Sequence, residues 1–237
     1  MQAQATPAAP VSLTGKGVVR GLRRLLPVSV FVVPFGIAFG IAATEQDLGP
    51  VQATVMSVFV FTATAQFAAL DFLKDPVAFV SLGLVALALS GRHIIMGAAL
   101  SRWINQLPIG QRLATLALLS DANFADSQPL LQGGETDLGP LLGGGMMLWL
   151  AWAGSTAVGA FGGNLLGDTE AYGFGVVMLC FFAATVVGMV RRSSGLIPPV
   201  IVAMGMSAVT LPVLPTGWNI ILAALVGGAV SVLVHAE

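Results

Sequence analysis

The chain has 237 residues, 56% of them hydrophobic, with ten basic and eleven acidic side chains and a net charge of −1. A soluble domain is about one-quarter charged; at 9% charged and a mean hydropathy of +0.90, this chain lacks the polar surface that a water-soluble globule presents. The sparse basic content excludes a nucleic-acid footprint, and the single cysteine, Cys180, excludes a disulfide scaffold. An integral membrane protein that crosses the bilayer several times remains.

A helix needs about 20 mostly apolar residues to cross the hydrocarbon core. Eight segments are candidates, at 25–43, 51–70, 76–100, 112–130, 140–161, 172–190, 196–211 and 219–234. They predict an all-α, polytopic integral membrane helical bundle of roughly seven to eight transmembrane segments with broken helices, inverted repeats being one arrangement. The ten-residue alternation of a membrane β-barrel is absent.

Residues 1–24 read as a basic cytoplasmic tail and 25–237 as one transmembrane domain. An Ala/Gln/Pro-rich stretch precedes Lys16, Arg20, Arg23 and Arg24. That order is the reverse of a cleavable signal peptide. The basic cluster is expected to stay in the cytoplasm. Lys74 then falls inside, as do Arg191 and Arg192 if all eight segments cross, while Arg102 and Arg112 fall outside, against the rule. The segment 112–130 is the weakest span because it holds Asp121, Asn123 and Asp126.

Helix breakers occur at membrane depth. Pro34 deprives the Val30 carbonyl of its helical partner, and Gly36 and Gly40 follow. Gly36/Gly40 and Gly159/Gly163 have the spacing that lets helices approach closely. Pro198, Pro199, Pro212 and Pro215 bracket the short segment 196–211. A faint internal echo links Ala65-Gln66-Phe67-Ala68 with Ala122-Asn123-Phe124-Ala125, each following a proline (Pro50, Pro108) by a similar interval.

Ionisable groups inside a bilayer cost several kcal/mol or more and need a partner or water. Thr62 and Gln66 share a helical face with Phe59; they serve either an interhelical hydrogen bond or a ligand. Gly91-Arg92-His93 interrupts the third segment. Arg92 can hold a carboxylate bidentately and His93 can carry protons near neutral pH, or Arg92 snorkels and His93 makes a structural bond. Asp121 can pair with Arg92, receive an ammonium group or exchange protons; alternatively its segment is re-entrant or extramembrane. Trp149 and Trp152, with Ser155 and Thr156, read as packing or as a lumen wall. No zincin, serine-hydrolase or nucleotide-loop motif is present, and the two histidines and Cys180 form no metal set. No enzyme activity and no cofactor are expected.

The motifs PFGIAFG (34–40), TATAQFAALD (62–71), GRHIIMGAALS (91–101) and LSDANFADS (119–127) occur in this order. Together they resemble the AzlC-type large subunit of bacterial branched-chain amino acid permeases, over roughly the first 130 residues. The resemblance implies an exporter of valine, leucine and isoleucine in the bacterial cytoplasmic membrane, paired with a small multispanning AzlD-type subunit. The chain departs from the family pattern at Ser90-Gly91 before the arginine, at Arg102 after Ser101, and at Ala122, where an acidic residue usually follows the aspartate.

On this reading, 25–237 is a transporter domain in contact with membrane lipids. Pro34, Gly36 and Gly40 would open the first helix; its backbone and Arg92 would face the substrate carboxylate. Asp121, beside Asn123, would face the ammonium group. Phe35, Phe67 and Met96 would surround the aliphatic side chain, and Gln66, near Thr62, would orient the substrate. His93 or Asp121 would carry a coupled proton. The alternatives are a transporter of the same build for another small organic solute, and a scaffold subunit whose polar residues only join helices.

Overall fold

The computed structural model describes residues 10–70, 72–73, 79–166, 183, 186–188, 190–191, 194–214 and 218–235. Segment 172–190 falls almost wholly outside the described residues, as do Lys74, Cys180, Arg192 and Pro215. The described chain is helical: α1 Gly15–Glu45, α2 Pro50–Phe59, α3 Ala63–Leu70, α4 Phe79–Ile104, α5 Ile109–Ala117, α6 Asp121–Gln132, α7 Gly139–Leu166, α8 Ile197–Thr210 and α9 Trp218–His235. Within α1, α4 and α7, the stretches Gly15–Glu45, Leu82–Ile104 and Gly139–Gly163 are long and apolar enough to cross a membrane.

Two expected spans are not single helices. Segment 51–70 is divided into α2 and α3, and segment 112–130 into α5 and α6. None of these four helices exceeds twelve residues, about 18 Å at 1.5 Å per residue. The expected opening of α1 at Pro34 does not occur. The helix continues through Pro27 and Pro34, since a proline removes one rung and neighbouring groups in a membrane protein can compensate the freed carbonyl. α4 likewise runs unbroken through Gly91.

The chain forms two compact units. Helices α1, α4 and α7 contribute to both, divided at Pro34, Gly91 and Ser155. The first unit joins the chain up to Pro34 with Arg92–Ser155. Its core is a cluster of buried residues that includes Met96, Leu100, Trp103, Ile104, Leu107, Leu119, Leu131, Leu138 and Leu141, with Val11 and Leu13 packed against it. The starts of α1 and α7 lie together. A Cβ at Gly21 would stand 2.2 Å from the Pro140 carbonyl oxygen, and one at Gly143 2.0 Å from that of Val18. Only glycine permits such an approach.

Polar bonds fasten the same end. Ser12 N–H donates to the Thr136 carbonyl and Leu138 N–H to the Ser12 carbonyl. Asp137 accepts from the Thr14 N–H, the Thr14 hydroxyl and the Gly139 N–H. Partial burial pushes the Asp137 pKa up, but the Thr14 hydroxyl, the two N–H groups and the Arg20 charge outweigh it, and the carboxyl ends below its ordinary value. Arg20 pairs with Glu135 at 2.9 Å. Arg24 pairs with Asp126 through Nε–Oδ2 at 3.0 Å and Nη2–Oδ1 at 2.7 Å. Gly134, at φ 101°, turns the chain out of α6, a conformation that favours glycine.

The second unit joins Phe35–Gly91 with Thr156–Glu237. Here too α1 and α7 meet through glycine. A Cβ at Gly40 would stand 2.2 Å from the Thr156 carbonyl oxygen, and one at Gly159 2.2 Å from that of Ile37. Gly40 thus has a packing role. Helices α8 and α9 pack through Gly227, whose Cβ would meet Ala203 at 2.9 Å. Asn219 Nδ2 donates to Ser207 Oγ at 3.2 Å.

Candidate functional site

The residues singled out from the sequence divide between the two units. Pro34, Arg92, His93, Met96, Asp121 and Asn123 belong to the first; Phe35, Gly36, Gly40, Thr62, Gln66 and Phe67 belong to the second.

In the first unit, α4 carries Arg92 and the first turn of α6 carries Asp121. Arg92 Nη1 lies 3.0 Å from Asp121 Oδ2. The side chains are 41% and 61% exposed. An aspartate in the first turn also meets the favourable end of the helix dipole. His93 follows Arg92 on α4 and is half-buried. Met96 is buried in the apolar cluster one turn further on.

Asn123 explains why the chain breaks before α6. It is fully buried. Its Oδ1 accepts from the Ser120 N–H at 2.7 Å and the Ser120 hydroxyl at 3.1 Å. Its Nδ2 donates to the Leu118 carbonyl at 2.8 Å and the Leu141 carbonyl at 3.0 Å. A side-chain amide has two donors and two lone pairs, and here all four are engaged. Asn123 joins the end of α5, the start of α6 and α7, and so fixes the position of Asp121.

In the second unit, Gln66 occupies a similar place. It is fully buried on α3, after the break at Val60–Thr62. Its Nε2 donates to Ser57 Oγ at 3.0 Å, and Ser57 Oγ donates to Thr156 Oγ1 at 2.9 Å. All three residues are fully buried. The chain links α2, α3 and α7. Phe67 meets Phe39 edge to face, with centroids 5.2 Å apart. The break removes Phe59 from the stripe expected for Thr62 and Gln66: Phe59 is 81% exposed.

The echo of Gln66 and Asn123 therefore has a structural counterpart. Each buried amide sits just after the break of a divided helix and bonds, directly or through Ser57, to α7. Sequence reasoning missed Ser57, Ser120 and the Arg24–Asp126 pair. Ser120 followed three residues later by Asn123 is a capping signature that marks the start of α6. Nothing in the sequence joins Arg24 to Asp126, which lie 102 positions apart. Among the described residues no group of three or more His, Cys, Asp or Glu could hold a metal ion.

The family model for the AzlC protein matches residues 27–166, more than half of the chain. The chain belongs to the AzlC family. It is 24% identical over 226 residues to the inner membrane protein YgaZ of Escherichia coli (strain K12), covering 92% of this chain and 90% of that protein. No solved structure matches it significantly. The AzlC-family chain is thus a multi-pass, all-α protein of the bacterial inner membrane, and the family match supports a role in membrane transport. The divided helices with their buried amides lie inside the matched region.

Proposed function

We propose that this AzlC-family protein is a secondary transporter that exports branched-chain amino acids from the cytoplasm. The Arg92–Asp121 pair, at 3.0 Å and with both members partly exposed, carries the reading. An amino acid is a zwitterion whose carboxylate and ammonium groups lie a few ångströms apart. Its carboxylate suits the guanidinium fork and its ammonium group suits Asp121. Without substrate the two residues neutralise each other, which lowers the penalty of charge at membrane depth. Substrate entry exchanges one internal ion pair for two intermolecular ones. The apolar cluster that begins at Met96 supplies an environment for an aliphatic side chain. His93 or Asp121 carries the coupled proton, and a small AzlD-type subunit completes the transporter.

The test is efflux of labelled valine from loaded membrane vesicles. Asp121→Asn and Arg92→Ala are each expected to reduce efflux at least tenfold, and dissipating the proton gradient is expected to reduce it likewise. Unchanged efflux in both variants would remove this assignment. Ala122, in the place where the family pattern has an acidic group beside Asp121, supports a second reading, a different small organic solute. A competition panel of amino acids and amines separates the two readings.

A further inference from the structure

We infer that α5 and α6 form a re-entrant hairpin, which enters and leaves the membrane on the face carrying the N-terminal basic cluster and whose turn holds Asp121 against Arg92. Helix α5 has nine residues and α6 twelve, about 14 Å and 18 Å. Each reaches only part-way through a hydrocarbon core of about 30 Å.

The direction of each helix follows from its contacts. Near the start of α5, Arg112 Nη1 donates to Asn105 Oδ1, beyond the end of α4. Near its end, Leu116 is the neighbour of Gly97. Helix α5 therefore runs back along α4 toward Arg92. Helix α6 leaves from there. Asp121 is at Arg92, Asp126 at Arg24, Glu135 at Arg20 and Asp137 at Thr14. The partners Arg24 and Arg20 on α1, and Thr14 just before it, fall in number as those from α6 onward rise, so α6 runs antiparallel to α1, toward the N-terminal end.

Both ends of the hairpin then meet. Leu107, before α5, and Leu131, at the end of α6, belong to one buried cluster with Ile104 and Leu138. Had α5 and α6 formed one interrupted crossing, Leu107 and Leu131 would lie about 30 Å apart. The depths also agree. About a dozen residues of α4 separate Arg92 from Ile104, and nearly as many of α6 separate Asp121 from Gln132, about 17 Å in each case. The ion pair thus lies near mid-membrane.

This arrangement moves two charges. Arg102 and Arg112 share the face of Lys16, Arg20, Arg23 and Arg24, and six of the ten basic residues then obey the positive-inside rule together. The same sidedness requires that segment 51–70 also fail to complete a crossing, and that segment is likewise divided into two short helices.

Side-specific thiol labelling tests the inference in the full chain. Cys180→Ser removes the single native cysteine. Single cysteines are then placed at exposed positions: Lys16 as reference, Gln46 beyond α1 as the opposite-side control, Gln106 before the hairpin and Gln132 after it. Gln111 and Gly133 replace Gln106 and Gln132 if either variant fails to reach the membrane. Membrane-impermeant maleimide is applied to right-side-out and inverted vesicles. Labelling of positions 106 and 132 from the side that labels position 16, with position 46 on the other, is expected. Labelling of 106 and 132 from opposite sides, or of both from the side of 46, overturns the hairpin. Labelling reports topology whether or not the chain transports an amino acid, so its failure is separate from failure of the efflux test.

Discussion

Gly159 faces Ile37 so closely that a Cβ on the glycine would stand 2.2 Å from the isoleucine carbonyl oxygen. No rotamer relieves this, because the obstacle is backbone. Gly154, on the same helix, has nothing among the described residues within 4 Å of its Cβ position. Gly159→Ala is therefore expected to force α1 and α7 apart and to destabilise the protein by about 2 kcal/mol or more, within the range for overpacking. Gly154→Ala is expected to be neutral or slightly stabilising, since alanine favours the helix. Thermal unfolding in detergent distinguishes the two. Equal melting temperatures would show that the close approach does not contribute to stability.

The sequence reveals α1, α4 and α7 because each is a long apolar run, and length alone decides that a helix can cross. It conceals the two breaks. Val60-Phe61-Thr62 and Leu118-Leu119-Ser120 contain no proline or glycine, so neither reads as a punctuation mark. The break before α6 is held by bonds that Asn123 makes to Ser120, Leu118 and Leu141, and only the Ser120–Asn123 spacing hints at them. Pro34 misleads in the opposite direction: it reads as a breaker, yet α1 continues. The Arg92–Asp121 pair is legible because a bilayer leaves few ways to accommodate either charge. The Arg24–Asp126 pair is not, because it depends on the path of α6 beside α1.

Asn123 and Ser127 lie one helical turn apart on α6 and are both buried, but they differ in their bonds. Asn123 makes four, while the Ser127 hydroxyl has no hydrogen-bond partner among the described residues. Asn123→Ala leaves two carbonyls and the Ser120 N–H without their partner; an unsatisfied buried group costs about 1–3 kcal/mol. Ser127→Ala removes a hydroxyl that gains nothing from burial. The first variant is expected to melt several degrees lower and the second at the same temperature or slightly higher. A large loss in Ser127→Ala would indicate that its hydroxyl has a bond in the membrane.

The Gln66–Ser57–Thr156 chain suits a double-mutant cycle, because Ser57 bonds both neighbours. Ser57→Ala removes the acceptor of Gln66 Nε2 and the donor to Thr156. Hydrogen bonds between helices in a bilayer average about 0.6 kcal/mol. Ser57→Ala and Thr156→Val are each expected to lower stability, and the double variant to lose about 0.5–1 kcal/mol less than their sum. Additive losses in thermal unfolding would show that the two hydroxyls act independently.

Asp137 gives a pH dependence of defined sign. Its carboxyl is held below the ordinary value because bonds from Thr14 and Gly139 and the Arg20 charge outweigh the effect of burial. The unfolded chain has an aspartate pKa of about 3.9. A folded pKa below this means that the unfolded state binds protons first as the pH falls. The stabilisation is therefore complete above about pH 5 and declines as the pH falls through about 4 toward the folded pKa. Asp137→Asn removes this component, so its melting temperature is expected to be lower than that of the parent at pH 6 and to approach it at about pH 3. Because the asparagine amide can still accept one bond, the loss at pH 6 is expected to be partial. A constant difference between the two proteins from pH 6 to pH 3 would show that the charge on Asp137 does not hold the start of α1 against the start of α7.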